Sequence, residues 1–302
     1  MQPKGKRYAV NIFKNFTVTR EQKKNELVPK GAIKGMLKDQ TLFGETDKVD
    51  LAVRRIKLNE PPEGYYVAFS GGKDSCVILD LIKRAKVKFD AHLSITTVDP
   101  PELIRFVRQQ YPEVIIEKPE ISMKKLIEKK GILPTRLARY CCAEFKERGG
   151  TGRFVVTGVR HAESVRRRNW KLIEPCQQPN GKRFIHPTID WSDDEVWEYI
   201  KTYNVPYCSL YDEGFKRIGC ICCPFASEQK KRRDIKRWPN IYKNQWRAGA
   251  GLAMERRKRE GKKLLFNTVD ELMDYWISGK GLKEKEPELI NIFGVMSDEL
   301  IT

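Results

Sequence analysis

Apolar positions change period repeatedly along this chain, and the changes mark strands alternating with helices. The run YYVAF (65–69) is continuously apolar and of strand length, and the glycine turn SGGKDS (70–75) closes it. Val77, Ile78, Leu81, Ile82 and Ala85 then share one helical face. HLSITTV (92–98) reads as the next strand, and PELIRFVRQQY (101–111) as a helix opened by proline. VIIE (114–117) follows as a strand, SMKKLIEKK (122–130) as a helix and RFVVTGV (153–159) as a further buried strand. In SDDEVWEYIKTY (192–203), Ser192 and Glu195 form a capping box, with Asp193 and Asp194 at the positive end of the helix. This alternation predicts an α/β fold, a mostly parallel twisted sheet with helices on both faces. YAVNIFKNFTV (8–18) reads as one or two further strands, and the chain beyond Cys223 is polar and mainly helical. Three parts are expected: a basic N-terminal extension (1–60), an α/β domain (61–225) and a basic helical C-terminal region (226–302).

Length and composition narrow the class. The 302 residues are 40% apolar, enough to bury a stable core. No apolar run approaches the roughly 18 residues of a membrane span. The opening MQPKGKRYAVNIFKNF lacks the apolar core and cleavage site of a secretory signal. A soluble, cytoplasmic protein without a membrane partner is expected. The net charge of +18 favours polyanions, so nucleic acid, DNA or RNA, is the expected macromolecular partner. The excess is densest over residues 221–260, where Trp238, Tyr242 and Trp246 interleave with Lys and Arg. Two readings stay open there: aromatics that stack on bases, or a solvated helical surface with its aromatics turned inward.

Eight cysteines in a chain of this size are too few for a secreted disulfide framework, and six lie in or beside two clusters. Cys141-Cys142 is one; Cys208 and Cys220-Ile221-Cys222-Cys223 make the other. Four thiolates from a CC pair and a C-x-x-C pair close a tetrahedral zinc site or hold an iron–sulfur cluster, and spacing alone does not choose. Cys208 and Cys222 have no assigned role. The turn SGGKDS sits between a strand and the N-terminus of a helix, where a parallel sheet binds ligands. Gly71 and Gly72 admit close backbone approach to phosphate, Ser70 and Ser75 offer hydroxyls, and Lys73 adds a point charge. The Walker pattern is absent.

Ser70-Gly71-Gly72-Lys73-Asp74-Ser75 resembles the PP-loop of the N-type ATP pyrophosphatases, which have an adenine nucleotide alpha-hydrolase-like fold. TTVDPPEL (96–103), RYCCAEFK (139–146), TGVRHAESVRRR (157–168), HPTIDWSDDEVWEYI (186–200) and NVPYCSLYDEGFKRIGCICCP (204–224) narrow the resemblance to the phosphoadenosine phosphosulfate (PAPS) reductase-like branch. It covers about residues 60–225. It implies an adenine nucleotide held by Ser70, Gly71, Gly72, Lys73, Asp74 and Ser75, with Asp99, Gly158, Arg160 and Arg167 also at the nucleotide. Lys73 and Asp74 are the expected catalytic pair. Arg160 and Arg167 are read as phosphate clamps against the alternative of surface arginines. Asp99 is read as a Mg²⁺ or ribose ligand against the alternative of a turn former before Pro100. His161 is placed near nucleotide, Lys146 near the cluster or the nucleotide, and His92 and His186 are read as structural. By position, Cys141, Cys142, Cys220 and Cys223 take the ligand roles of a [4Fe–4S] cluster, which sets zinc behind iron.

One departure decides the expected chemistry. Reductases of this branch end in a mobile E-C-G-[LI]-H segment whose cysteine attacks the sulfate sulfur, and residues 224–302 contain no cysteine. The expected activity is therefore ATP-dependent adenylation of a substrate with release of pyrophosphate, supporting sulfur transfer onto a nucleic acid with a sulfur-donor protein as a further partner. The alternatives are a sulfonucleotide reductase and, from another class, a non-catalytic nucleic-acid-binding protein.

Overall fold

A computed structural model describes residues 36–41, 44–175 and 181–279. The strands read at 8–18 lie outside the described residues. A short antiparallel hairpin, β1 (Lys38–Thr41) and β2 (Gly44–Asp47), leads into helix α1 (Lys48–Leu58), which Asp47 caps by accepting the Val49 and Asp50 amides. β3 (Tyr65–Ala68), α2 (Lys73–Ala85), β4 (Phe89–Ser94), α3 (Pro101–Gln110), β5 (Ile115–Glu117) and α4 (Met123–Lys130) follow in the expected alternation. α5 (Tyr140–Phe145) carries the cysteine pair, and β6 (Phe154–Val156) returns to the sheet. β7 (Ile173–Pro175) and β8 (Arg183–Ile185) come next, strands that the apolar pattern does not announce. After α6 (Asp193–Thr202) come α7 (Glu228–Arg237) and α8 (Pro239–Ile241). A π-helical turn, Tyr242–Arg247, links α8 to α9 (Ala248–Arg259), and α10 (Val269–Ser278) closes the described chain.

The six-stranded sheet has the order β5-β4-β3-β6-β8-β7, parallel except for the β7–β8 pair. The expected α/β class holds. β4 begins three residues earlier than its apolar run because Phe89 pairs with Tyr65, and it stops at Ser94. Beyond it the Asp99 carboxylate accepts the Thr96 amide and Thr97 takes a left-handed φ of 63°, which turns the chain.

Period-2 alternation gives the sheet two different faces. Tyr65 and Val67 on β3, Phe154 and Val156 on β6 and Ile185 on β8 point into a core with α1, α2 and α6. Val49, Ala52 and Ile56 of α1 belong to that core, although they precede residue 60. On the opposite face, Tyr66, Ala68, His92, Ser94, Val155, Thr157 and Phe184 floor an open cavity. A second core joins α4, α5, the loop through Cys222, Trp238, Trp246, α9 and α10.

Candidate functional site

The phosphate turn leaves the end of β3, beside the point where the sheet order reverses between β3 and β6. Gly71 has φ +71°, and a Cβ there would fall 2.6 Å from Leu103 Cδ1, so only glycine makes this turn against α3. Ser75 Oγ donates to the Gly72 carbonyl (2.8 Å) and accepts the Ser70 amide (3.2 Å), tying the ends of the turn together. The Lys73 amide, at the start of α2, donates to the Tyr211 hydroxyl (2.9 Å).

Four charged side chains from three segments meet here. Lys73 is 4% exposed, and its Nζ pairs with Asp193 Oδ1 (2.9 Å) and Asp74 Oδ2 (3.2 Å). Arg160 is 1% exposed; its Nε donates to Asp74 Oδ1 (2.7 Å) and its Nη2 to Asp193 Oδ1. Burial works against the Arg160 charge, but Asp74 and Asp193 outweigh it and hold its pKa above the ordinary value. Burial alone would raise Asp193; Lys73 and Arg160 keep it below the usual carboxylate range. Gly158 is required by the same packing, since a Cβ there would lie 2.9 Å from Asp74 Cβ.

The structure brings Lys73, Asp74, Gly158 and Arg160, which the sequence assigned to one site, together in space and adds two residues that the sequence did not assign. Asp193 reads as a helix-start acid, and the capping box is present, with Ser192 Oγ accepting the Glu195 amide (3.1 Å). The same helix start also delivers Asp193 to Lys73. Tyr211, in a short 3-10 turn, carries no signal of its own. Arg167 does not join the group, because it pairs with Glu163 four residues earlier. Its neighbour Arg166 lines the cavity instead. His161 Nε2 is bonded to the Trp170 carbonyl (2.7 Å). His92 is held between Asp90 (2.6 Å) and Glu117 (2.8 Å) and stacks on Tyr66.

The cavity, about 550 Å³, runs from Ser70 along the sheet to Phe184, roofed by Lys146, Glu147 and Gly219. Asp99 lies on its wall as well as capping its own turn. Both roles expected for that residue therefore remain physically compatible.

The two cysteine clusters converge beside the cavity. Charge on Cys142, Cys220 and Cys223 acts on Cys141, and Thr96 Oγ1 lies 3.4 Å from Cys220 Sγ. The hydrogen bond between Cys141 and Cys142 splits that pair. Cys142, with Arg139 and Lys146 nearby, is pulled below the usual thiol range, and Cys141 is pushed above it. Interaction with Cys220, and then with Asp99, raises Lys146 above its ordinary value. Cys222 turns away: its φ of +54° lets Cys220 and Cys223 share a side, while its amide meets Asp234 Oδ2 (3.0 Å) and its thiol faces the Lys231 carbonyl (3.7 Å). Cys208 is fully buried. Among the described residues, no group of three or more His, Cys, Asp or Glu side chains is arranged to hold a metal ion.

The C-terminal aromatics face inward. Trp246 is fully buried and donates Nε1–H to the Ile221 carbonyl (3.1 Å), and the largely buried Trp238 donates to Glu102 Oε2 (3.0 Å). Stacking of these two rings on bases is thereby overturned; their neighbours' charges stay outside. No helix among the described residues is long and apolar enough to cross a membrane.

The family model described as phosphoadenosine phosphosulfate reductase domain matches residues 64–226. An adenosine 5'-phosphosulfate reductase of Staphylococcus haemolyticus is 29% identical over 189 residues, 58% of this chain and 76% of its own. An uncharacterized protein of Methanocaldococcus jannaschii is 29% identical over 189 residues, 59% of this chain and 46% of its own. Among solved structures, phosphoadenylyl-sulfate reductase from Candida auris in a phosphate complex aligns with a TM-score of 0.44 at 25% identity, covering 57% of this chain and 87% of that one.

Proposed function

Since the chain belongs to the phosphoadenosine phosphosulfate reductase domain family, we propose that its cavity binds ATP, with Mg²⁺ on the phosphates, and adenylates an acceptor. An acceptor oxygen attacks the α-phosphorus, the new P–O bond forms as the α–β bridge breaks, and pyrophosphate leaves. The observation that carries this reading is the phosphate turn itself, where Lys73 and Arg160 are buried together at the α2 N-terminus and Ser70 lines the cavity. Amides and cations gathered at such a turn stabilise charge on the leaving phosphates. Asp74 and Asp193 hold the two cations in place, and Gly71, Gly72, Ser70 and Ser75 shape the cradle. Asp99, on the cavity wall, is the residue assigned to the ribose or the metal ion in this reading.

Cys141, Cys142, Cys220 and Cys223 are the residues that would hold an iron–sulfur cluster. A bound [4Fe–4S] cluster would supply a redox-active, sulfur-handling centre beside the cavity. Sulfur transfer, onto a nucleic acid and from a donor protein, is the expected outcome of adenylation here. The +18 charge supports the polyanionic acceptor.

The relatives, adenosine 5'-phosphosulfate reductases, favour a second reading, reduction of adenylyl sulfate or PAPS. Against it, the thiols outside the four that lie among the described residues, Cys76, Cys208 and Cys222, are fully buried and cannot present a nucleophile. Cys176 lies outside the described residues. Anaerobic protein offered ATP, adenylyl sulfate and PAPS in parallel, with Mg²⁺, reductant and mixed cellular nucleic acid, tests both. Pyrophosphate from ATP supports adenylation; sulfite from either sulfonucleotide, with no pyrophosphate from ATP, overturns it.

A further inference from the structure

The cavity floor extends well past the phosphate turn. It spans β4, β3, β6, β8 and β7, four inter-strand steps of about 4.8 Å and so ~19 Å across. The turn leaves β3, one strand from the β4 end. A nucleotide held there against Leu93, Ser94 and Leu103 leaves the β6, β8 and β7 side open.

At that side the wall becomes aromatic. Trp170 and Phe184 are half-buried and line the cavity. Alternation along β8 sends Ile185 into the core and keeps Phe184 on the cavity face. His186 lies beside both rings, 5.4 Å from Trp170 and 6.3 Å from Phe184 at 10° between planes. His186 is 1% exposed, its Nδ1 is bonded to Thr157 Oγ1 (2.7 Å), and its buried Nε2 has no partner. Glu174 and the exposed Arg166 complete this end, with Glu174 Oε1 fixed by the Lys171 amide. Two ring faces, a carboxylate and a guanidinium are the contacts that a nucleotide asks for: stacking, acceptance of a base N–H, and a phosphate clamp.

We propose that the Trp170–Phe184 end of the cavity is a second subsite, for the base and phosphate of an acceptor nucleotide in a single strand. It rests on the adenylation reading, because it places that acceptor in the same cavity as the activated phosphate. Stacking on the rings supplies most of the affinity, and Arg166 meets the strand's phosphate.

Labelled single-stranded pentanucleotides, RNA and DNA of each base, are titrated into the full-length anaerobic protein with and without saturating ADP. The expected result is binding that survives ADP. Trp170→Leu and Phe184→Leu are each expected to weaken it about tenfold or more, with ADP affinity changed less than twofold. Trp170→Tyr, which keeps a ring face, is expected to restore binding. Competition between ADP and the strand, wild-type binding by both leucine variants, equal loss of ADP and strand, or no strand binding would each overturn the proposal. If the strand binds through the rings but ADP does not bind, the adenylation reading fails and the subsite stands.

Discussion

Ile221 sits between two proposed cluster ligands and is anchored from both sides. Its amide donates to the Val98 carbonyl (2.8 Å), and its carbonyl accepts Trp246 Nε1–H (3.1 Å) from the C-terminal helical region. Both residues are fully buried, so water cannot replace the indole. Trp246→Phe keeps a ring against Trp276, whose centroid lies 4.9 Å away, and removes only the donor and part of the bulk. A buried carbonyl deprived of its donor costs about 1–3 kcal/mol, and the lost ring atoms add about 1 kcal/mol of cavity cost. A loss of about 2–4 kcal/mol corresponds to a melting temperature lower by ~3–6 °C in a chain of this size. Because the loosened carbonyl belongs to the C-x-x-C loop, iron per chain is expected to fall as well. Anaerobic thermal melts and iron assays, with the exposed Lys236→Ala as a control expected to stay within about 0.5 kcal/mol of wild type, measure both. A Trp246→Phe protein with wild-type melting and wild-type iron would refute the claim that the C-terminal helices brace the cysteine loop.

Three further outcomes are expected. Lys73→Ala lowers pyrophosphate release about 10²–10³-fold, by analogy with removal of one electrostatic stabiliser, with secondary structure unchanged by circular dichroism; near-normal turnover would remove Lys73 from the site. Cys220→Ala loses the iron and its visible absorbance, whereas Cys222→Ala keeps both and loses only about 1–2 kcal/mol of stability to urea; the reverse pattern would reassign the ligands. Burial pulls His186 down to about 4 from its ordinary 6.5, so the unfolded chain takes up the proton first as pH falls. Its stability contribution is whole above pH 6.5 and is lost on the way down to 4, about 2 kcal/mol of it by pH 5. Urea midpoints of wild type and His186→Asn at pH 7.5 and 5 should therefore converge on acidification, and a gap independent of pH would contradict this.

Strand and helix order was legible because each element from β3 to α6 that builds the nucleotide end has its own apolar signature. The cavity floor was not, because YYVAF and RFVVTGV read as continuous runs although Tyr66, Val155 and Thr157 face ligand space while Tyr65, Val67 and Val156 face the core. The weak polar alternation in those runs, with His92 and Ser94 on the next strand, was the available signal. β7 and β8 gave none, since neither Ile173-Glu174-Pro175 nor Arg183-Phe184-Ile185 sits in a continuous apolar run like those that mark the equally short β5 and β6. The C-terminal aromatics showed the limit of composition: Lys and Arg between tryptophans describe a nucleic-acid surface and a buried helix seam equally well. Only the Ile221 and Glu102 partners of Trp246 and Trp238 decide between them.

The phosphate turn is internally satisfied, and that sets how it meets an anion. Lys73 and Arg160 already face the carboxylates of Asp74 and Asp193, and the Lys73 amide already has the Tyr211 hydroxyl. The affinity of a phosphate for this turn is therefore a difference, its own charge-assisted bonds set against those that it replaces. Asp193 is the easier partner to displace, because its side chain is 66% exposed and can be rehydrated where Asp74, at 27%, is less free to be. Tyr211 is the other. It belongs to the same stretch as Cys208 and, nine residues on, Cys220, and the Cys208 carbonyl holds its amide (3.1 Å). Any oxygen that takes the Lys73 amide must move or engage the Tyr211 hydroxyl, and the chain that carries that hydroxyl leads directly into the cysteine loop. The phosphate turn and the cysteine loop are thus joined by one short covalent segment.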